Sequence, residues 1–401
     1  MRKILMLLSV LALIVALGGP LLVGMQLEKT TLESREQLTS GLPPWVELIG
    51  LDYERGWFGA VSEYRFLVSD NAPPQVKQLI GAFGGFGDQP SLIVANAIQH
   101  GPLVGFLRPA IAKAESVFAL DTGSNGVIQL PAQTMTHIGL TGTLQVDWRA
   151  AGASMVNENG QAIRWADLEG RLSVRPDLSE IHAEIRTPML QAITPEGATA
   201  LDIEGLDLSA QTETGSANTA LQVDYTFRNR IAESAQMIAG DFALENLNNA
   251  ALPGLHRMID EARTRVAPIT PRDLVAAHLT TLQTALSNTP EIVWQQSQIG
   301  DAGAIESDLA VTLAPARQPA TNDIDAFTDH LVTDMQATLN ISAPIASVED
   351  LAATSNLVTT VRGMGMLEKD AEAGLYKMRM TYADGTAIVN GLPVPVMPKN
   401  R

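Results

Sequence analysis

An alternation of apolar and polar side chains, with a period of two residues, is the feature that most limits what this chain can fold into. It is clearest over residues 137–149 and returns near 168–175, 181–186 and 221–227. Successive side chains of a strand point to opposite faces, so the pattern predicts strands with one apolar and one polar face. Such strands are typical of antiparallel sheets with one solvated face, because strands buried in parallel sheets read as continuous apolar runs.

Two of these predicted strands define the apolar face most clearly. In the segment 137–149 the apolar face consists of Ile138, Leu140, Leu144, Val146 and Trp148. In an earlier strand it consists of Ser62, Tyr64, Phe66 and Val68. Near the carboxyl end, Asp384-Gly385 predicts the tight turn of a closing hairpin, because this dipeptide tolerates a positive φ.

Helical spacing is confined to a few later blocks. The predicted helices cover residues 253–265, 271–287, 323–334 and 348–367. The first two begin with a proline at or near the first turn, where the missing N–H has no helical partner to lose. Together, the strand and helix patterns predict a strand-dominated α+β fold, with large twisted antiparallel sheets and a few covering helices.

The amino-terminal region predicts a membrane anchor. Residues 4–25 form a run of 22 residues without a charge, long enough as a helix to cross a hydrocarbon core of about 30 Å. Arg2 and Lys3 precede the run and several glutamates follow it, so the positive-inside rule predicts a cytoplasmic amino terminus and a body in the periplasm. A cleaved signal peptide is the alternative, although no A-x-A-like site is evident near its end.

These patterns divide the chain into four predicted parts. Residues 1–25 are the cytoplasmic tip and transmembrane helix, and 26–44 are a stalk helix ended by a proline break. Residues 45–252 are an antiparallel β-rich region, and 253–401 are a mixed helix and strand region packed on it. The boundary near 253–290 is placed where helices replace strands.

Charge and cysteine content exclude several function classes. The formal charge of −17 would repel phosphate backbones, so nucleic acid is not an expected partner. The absence of cysteine from the sequence excludes disulfides, thiolate catalysis and cysteine-based metal sites. The six histidines lack the i, i+2 or i, i+4 spacing that places ligands on one face, so neither a metal site nor a cofactor is predicted.

Several short motifs, in this order along the chain, resemble segments of the YdgA-like family of bacterial envelope proteins. The matching segments are Tyr53-Glu54-Arg55-Gly56-Trp57-Phe58, His100-Gly101-Pro102, Phe242-Ala243-Leu244-Glu245-Asn246-Leu247, and Tyr382-Ala383-Asp384-Gly385 with Val389-Asn390-Gly391. The resemblance implies a protein tethered to the inner membrane, rich in strands and of unassigned activity. It supplies no catalytic residues, and the motif positions singled out are Tyr53, Arg55, Gly56, Phe58, His100, Gly101 and Pro102. Leu103 departs from the aromatic residue usual after the HGP motif.

Two segments imitate catalytic or phosphate-binding motifs. Asp121-Thr122-Gly123-Ser124 follows an apolar strand as the catalytic aspartate of an aspartic protease does, but the second Asp-Thr/Ser-Gly that such a site needs is missing from the sequence. A turn between two strands is the simpler interpretation. The glycine-rich segment 81–87 lacks the lysine and hydroxyl residue of a phosphate-binding P-loop.

The sequence therefore predicts a non-catalytic binding or scaffolding protein of the envelope. Its expected partner is the bilayer, through the anchor. A lipid or another envelope protein is a further partner only if the helices leave an apolar sheet face open. Complete cover of that face by the helices is the favoured structure, because soluble bodies normally bury such faces, and an envelope hydrolase is the alternative for the function. A homodimer formed through strand edges or the stalk helix stays open.

Overall fold

The computed structural model describes residues 42–72, 90–100, 110–121, 126–156, 160–231, 234–264, 271–313, 324–354 and 356–394, with the single positions 25, 28, 29, 39 and 77. The chain divides into two compact units, Met1–Asp202 and Ile203–Arg401. Each unit is dominated by antiparallel strands, which confirms the strand-rich class and the one-sided alternation that predicted it.

The first unit is an up-and-down meander in which strands adjacent in sequence pair with one another. Its strands are β1 (Val46–Arg55), β2 (Gly59–Val68), β3 (Ser91–His100), β4 (Ala110–Asp121), β5 (Val127–Gly139), β6 (Leu144–Ala150), β7 (Ala153–Val156), β8 (Ala162–Ala166), β9 (Leu168–Val174) and β10 (Glu180–Ile193). Strands β6 and β7 together face β9 and β8 as one long interrupted hairpin, and β10 pairs with both β8 and β9. Asp167, with φ 35°, interrupts the strand between β8 and β9.

The second unit repeats this meander. Its strands are β11 (Thr199–Thr214), which begins just before the unit boundary, then β12 (Asn218–Ile231), β13 (Ser234–Asn248), β14 (Glu291–Gly300), β15 (Gly303–Leu313), β16 (Met335–Pro344), β17 (Glu368–Asp370), β18 (Leu375–Ala383), β19 (Thr386–Val389) and β20 (Leu392–Val394). Strand β16 pairs with β18, which also pairs with the short strands β17 and β19.

The described helices of the second unit lie in the connections between its strands. They are α1 (Leu252–Thr264), α2 (Pro271–Ala277), α3 (Leu279–Ala285), α4 (Ile324–Asp334), α5 (Ile345–Thr354) and α6 (Asn356–Gly363). Helices α5 and α6 contribute Val348 and Val358 to a cluster with Ala343 of β16 and Tyr376 of β18. The Tyr382 hydroxyl of β18 donates to the Val332 carbonyl of α4 over 2.7 Å. One well-buried part of the second unit therefore lies where helices meet β16 and β18, and another surrounds Ala251, Leu279 and Ala285.

Tight turns at the carboxyl end confirm the predicted hairpin and add a second one. Asp384 and Gly385 have φ of 51° and 73° between β18 and β19, and Asn390 and Gly391 have φ of 47° and 79° between β19 and β20. Positive φ at both central residues matches the right-handed twist of the strands that such turns join.

Residues 137–149, predicted as one strand, form a hairpin instead. Strand β5 ends at Gly139 and β6 begins at Leu144, with Gly142 at φ 82° in the turn between them. Leu140, predicted on the apolar face, is 58% exposed in that turn. The alternation predicted a single strand because the apolar residues before and after the four-residue turn follow the same odd–even pattern.

Two helix predictions also needed correction. Residues 271–287 form α2 and α3 rather than one helix, because His278 leaves helical geometry with φ −120° and ψ 19°. No glycine or proline marks that break within 272–287. Residues 348–367 likewise contain parts of two helices, α5 and α6.

Among the described residues, none of the helices combines the length and apolar character needed to cross a bilayer. The predicted anchor over 4–25 lies outside the described residues except for Met25, and the predicted stalk is described only at Glu28, Lys29, Thr39 and 42–44. Met25, Glu28, Lys29 and Thr39 are helical.

Candidate functional site

The structure brings the two amino-terminal motifs to one end of the first sheet. Tyr53 and Arg55 lie on β1, and Gly56 to Phe58 form the turn to β2. His100 ends β3, and its backbone N–H donates to the carbonyl of Phe58 over 3.1 Å. Gly101 and Pro102 lie outside the described residues. Phe58 and His100, which are 42 positions apart in sequence, thus meet at one corner of the sheet. Neither motif by itself predicts this contact.

Close backbone approach holds this corner in place. The Gly56 N–H donates to the Gly59 carbonyl over 2.7 Å, which closes the turn. A Cβ added at Gly59 would lie 2.6 Å from the Ile98 carbonyl oxygen of β3. A side chain at position 59 would therefore push the turn away from β3.

Two aromatic side chains project from this turn. Trp57 and Phe58 are each 54% exposed, and we call this pair the aromatic tip. Next to it, Arg55 Nη1 lies 3.2 Å from Glu28 Oε2. Burial and the negative charge of Glu28 raise the pKa of Tyr53 above its ordinary value. Glu28 thus lies beside β1, a few residues from the tip.

The His100 side chain is buried without a hydrogen-bond partner. It is 3% exposed, and neither Nδ1 nor Nε2 makes a hydrogen bond in the described part of the chain. Buried polar groups normally find partners, so His100 is unusual, as is Tyr53, whose hydroxyl oxygen is also buried without a partner among the described residues.

A charged groove of 410 Å³ crosses strands β4, β5, β6, β9 and β10 of the first unit. Its charged lining residues are Glu115, Asp147, Arg149, Glu169, Arg171, Glu184 and Arg186. The register sets them in two cross-strand rows of alternating sign, one of which runs Asp147, Arg171, Glu184. This is the polar face that the alternation predicted.

The charges in the groove pair with one another. Arg171 Nε donates to Asp147 Oδ1 over 2.6 Å, and Arg149 Nε lies 3.5 Å from Glu169 Oε1. His182 Nε2 lies 2.9 Å from Glu184 Oε1, and this hydrogen bond lowers the pKa of the Glu184 carboxyl. Because the three arginines are each more than half exposed, such pairs contribute little stability, and the groove has the character of a solvated face.

The opposite face of the same strands shows an aromatic ring laid over a glycine. A Cβ added at Gly170 of β9 would fall within the indole ring of Trp148 of β6, its cross-strand partner. The second unit has the same arrangement, because a Cβ at Gly240 of β13 would meet the ring of Tyr225 of β12. In both units the glycine gives an aromatic ring room to lie along the sheet.

The second unit carries a continuous apolar face, made of two neighbouring cross-strand rows. The first row consists of Ala210, Val223, Phe242, Trp294, Leu309, Leu339, Met380, Val389 and Leu392. The second consists of Leu221, Leu244, Ile292, Val311, Ala337, Tyr382 and Ala387. On the other face, the cross-strand row next to the first apolar row is polar: Asp224, Asp241, Gln295, Asp308, Asn340 and Arg379.

This apolar face is only partly covered. Val389 is 5% exposed, whereas the members of the first row from Ala210 to Met380 are half-buried. In a domain of two packed layers, the centre of such a face would be fully buried. The face is therefore not fully buried across β11 to β15.

A polar spot lies beside the two apolar rows. The Tyr225 hydroxyl donates to Gln296 Oε1 over 3.0 Å and accepts from Trp294 Nε1 over 3.1 Å. Gln296 is the cross-strand partner of Gly240, so this network surrounds the Tyr225 ring that lies over Gly240. The face thus combines a long apolar surface with one fixed set of hydrogen-bonding groups.

The structure also locates the other residues that the sequence suggested as catalytic or metal-binding candidates. Asp121 ends β4 and pairs with Val127 at the start of β5, so the predicted hairpin around the Asp-Thr-Gly segment is confirmed, although residues 122–125 lie outside the described part. His137 and His182 lie on the charged face, as predicted. Within the described residues, no group of three or more His, Asp or Glu side chains is placed to hold a metal ion. The glycine-rich segment 81–87 also lies outside them.

Comparison with known proteins places the chain among bacterial proteins. A family model described as a bacterial protein of unknown function (DUF945) matches residues 1–221 and residues 192–397. No curated protein and no solved structure matches the chain.

Proposed function

The chain belongs to DUF945, a bacterial family of unknown function, and we propose that it is a non-catalytic binding protein of the cell envelope that holds the acyl chains of a lipid. The binding surface in this proposal is the apolar face of the second unit. The proposal includes the finer assignment to the YdgA-like envelope proteins, which rests on the motifs at 53–58 and 100–102.

The observation that carries the proposal is the first apolar row, whose members from Ala210 to Met380 are only partly buried. It joins nine strands from β11 to β20, so eight inter-strand spacings of about 4.8 Å give it a length of about 38 Å. Soluble proteins rarely leave a continuous apolar surface of this extent exposed unless it binds a partner. An extended acyl chain matches a narrow, continuous apolar row better than a compact ligand does.

The polar spot adds a second argument for an amphipathic ligand. Tyr225, Trp294 and Gln296 form a fixed hydrogen-bonded group at the side of the apolar rows. Binding sites for such ligands combine an apolar lining with a few polar groups that fix orientation. In the proposal, the acyl chains lie on the apolar rows and the ester groups of the lipid face this network.

The proposal places the body in the periplasm, tethered by residues 4–25 to the inner membrane. Two features of the sequence support this: the uncharged run itself, and the position of Arg2 and Lys3 directly before it with several glutamates after it. A tether would keep the apolar face near a source of lipid.

Site-specific photocrosslinking in intact cells tests the lipid proposal. A photoreactive phenylalanine analogue is placed at Leu309, on the apolar face, in cells whose phospholipids carry ³²P. The matched control places it at Ala310, the next residue of β15, whose side chain points to the opposite face. We expect a radiolabelled lipid adduct at position 309 and none at 310.

Two results would count against lipid binding. Equal labelling at both positions would show non-specific contact with membrane, and a protein adduct without lipid at position 309 would show that the face binds a polypeptide instead. Expression and protease resistance of both variants confirm that each folds.

A further inference from the structure

The aromatic tip is a rigid exposed pair rather than part of a loose loop. Trp57 and Phe58 are each 54% exposed, while the backbone around them is fixed by the Gly56–Gly59 and His100–Phe58 hydrogen bonds. Tryptophan and other aromatic residues are enriched where a protein meets the headgroup region of a bilayer. Their rings have an apolar body, and tryptophan adds an N–H that remains hydrated at that depth.

The position of the tip relative to the amino-terminal run identifies the bilayer as its partner. Arg55, two residues before Trp57, contacts Glu28, and Glu28 follows the end of the apolar run by three residues. Three residues of chain separate Met25 from Glu28 and span at most about 11 Å. Two extended residues from Arg55 to Trp57 add at most about 7 Å. The carboxyl end of the run is therefore linked to the tip through the Glu28–Arg55 contact and a few residues on each side of it.

We propose that Trp57 and Phe58 insert into the headgroup region of the bilayer that holds residues 4–25. The inference rests on the membrane anchor of the proposed function, but not on lipid binding by the second unit. Glu28 and Arg55 neutralise one another at the base of the tip, which removes the penalty of bringing one unpaired charge to the membrane surface. The tip would then be a second point of attachment, and two points fix the orientation of the first sheet where one helix alone would allow it to swing.

Quenching by brominated lipid measures this insertion directly. The full chain is reconstituted into phosphatidylcholine vesicles with and without bromine on the acyl chains near the headgroup. Residues 4–25 contain no tryptophan, so quenching reports only on the five tryptophans of the rest of the chain. We expect brominated vesicles to quench part of the emission, and we expect Trp57→Phe to lose that part.

Trp45→Phe is the matched control. Trp45 is a partly buried tryptophan that packs against the Val68, Ala72 and Leu120 cluster, so its replacement should leave the amount of emission lost to quenching unchanged. Both substitutions keep an aromatic ring, and circular dichroism should confirm that both variants fold.

Flotation of the same vesicles distinguishes a chain whose aromatic tip does not insert from a chain that does not bind the membrane at all. If the chain floats with the vesicles but Trp57→Phe is quenched as strongly as the original chain, the tip proposal is overturned and the anchor stands. If the chain does not float, the anchor and the tip are both overturned. Lipid adducts at Leu309 depend on neither result.

Discussion

At the scale of single residues, the contact between Trp148 and Gly170 leaves no room for the methyl group that an alanine at position 170 would add. The indole ring occupies the space of the missing Cβ, and both residues lie on neighbouring strands in direct register. Any side chain at position 170 would have to displace the ring or separate β6 from β9. The glycine is therefore required by packing rather than by backbone conformation.

We predict that Gly170→Ala destabilises the protein by about 1–3 kcal/mol, the usual range for overpacking. Gly300→Ala is the matched control, because its added Cβ would lie at an ordinary 3.5 Å from Gln236 Cγ and Gly300 also lies in a strand. Urea unfolding of both variants measures the difference. Equal losses in the two would show that glycine-to-alanine changes act here through the backbone and not through Trp148.

At the scale of elements, the two consecutive tight turns of the carboxyl end differ in what their side chains do. Asn390 accepts a hydrogen bond from the Arg379 N–H over 2.7 Å and donates to the Met366 carbonyl over 3.0 Å. It thereby joins β18 to the segment that follows α6. Asp384 holds the corresponding place in the preceding turn, with a similar φ of 51°.

We predict that Asn390→Ala lowers the free energy of unfolding by about 1–3 kcal/mol, because it removes two hydrogen bonds that each contribute about 0.5–1.5 kcal/mol. Asp384→Ala is the control, since it imposes the same cost of a positive φ on alanine without breaking those two hydrogen bonds. Its loss should be clearly smaller in the same urea titration. Losses of the same size would attribute the effect to backbone conformation alone.

Local patterns predicted most elements but not their mutual arrangement. The strand containing Ser62 and Val68, the hairpin at Asp384 and the helical blocks after residue 252 follow from periodicity and turn chemistry, which act over a few residues. The hairpin inside 137–149 could not be predicted in this way, because the apolar side chains keep the same alternation on both sides of the turn. The break at His278 could not be predicted either, because no glycine or proline interrupts the helical pattern there.

The candidate sites could be predicted only in part. Alternation placed Leu221 and Val223 on an apolar face, but which residue of the next strand lies opposite depends on register, set by turns elsewhere. The meeting of Phe58 with His100 likewise requires the pairing of β2 with β3. The rows across the sheet are therefore properties of the fold that no single segment contains.

At the scale of the whole molecule, net charge acts on any approach to a membrane. The formal charge of −17 is spread over the chain, while the aromatic tip itself is apolar. Long-range repulsion from anionic lipids therefore opposes the short-range gain of burying two rings. Salt should change this balance, because screening weakens the first effect much more than the second.

We predict that quenching of Trp57 in vesicles rich in phosphatidylglycerol increases with salt. The distance over which charges act falls from about 30 Å at 0.01 M salt to about 3 Å at 1 M. In phosphatidylcholine vesicles, which carry no net charge, quenching should stay nearly constant over the same range. An equal increase in both kinds of vesicle would attribute the effect to stronger apolar burial at high salt.

The meander of each unit has a consequence for how the chain acquires its structure. Nearly every strand pairs with the strand made just before it, so an emerging strand finds its partner already in place. Where the connection is a short turn, as between β14 and β15, such pairing avoids closing a long loop, which is the slow step of many all-β proteins. Each sheet is thus suited to growing strand by strand in the order of synthesis, with the newest edge as the template for the next strand.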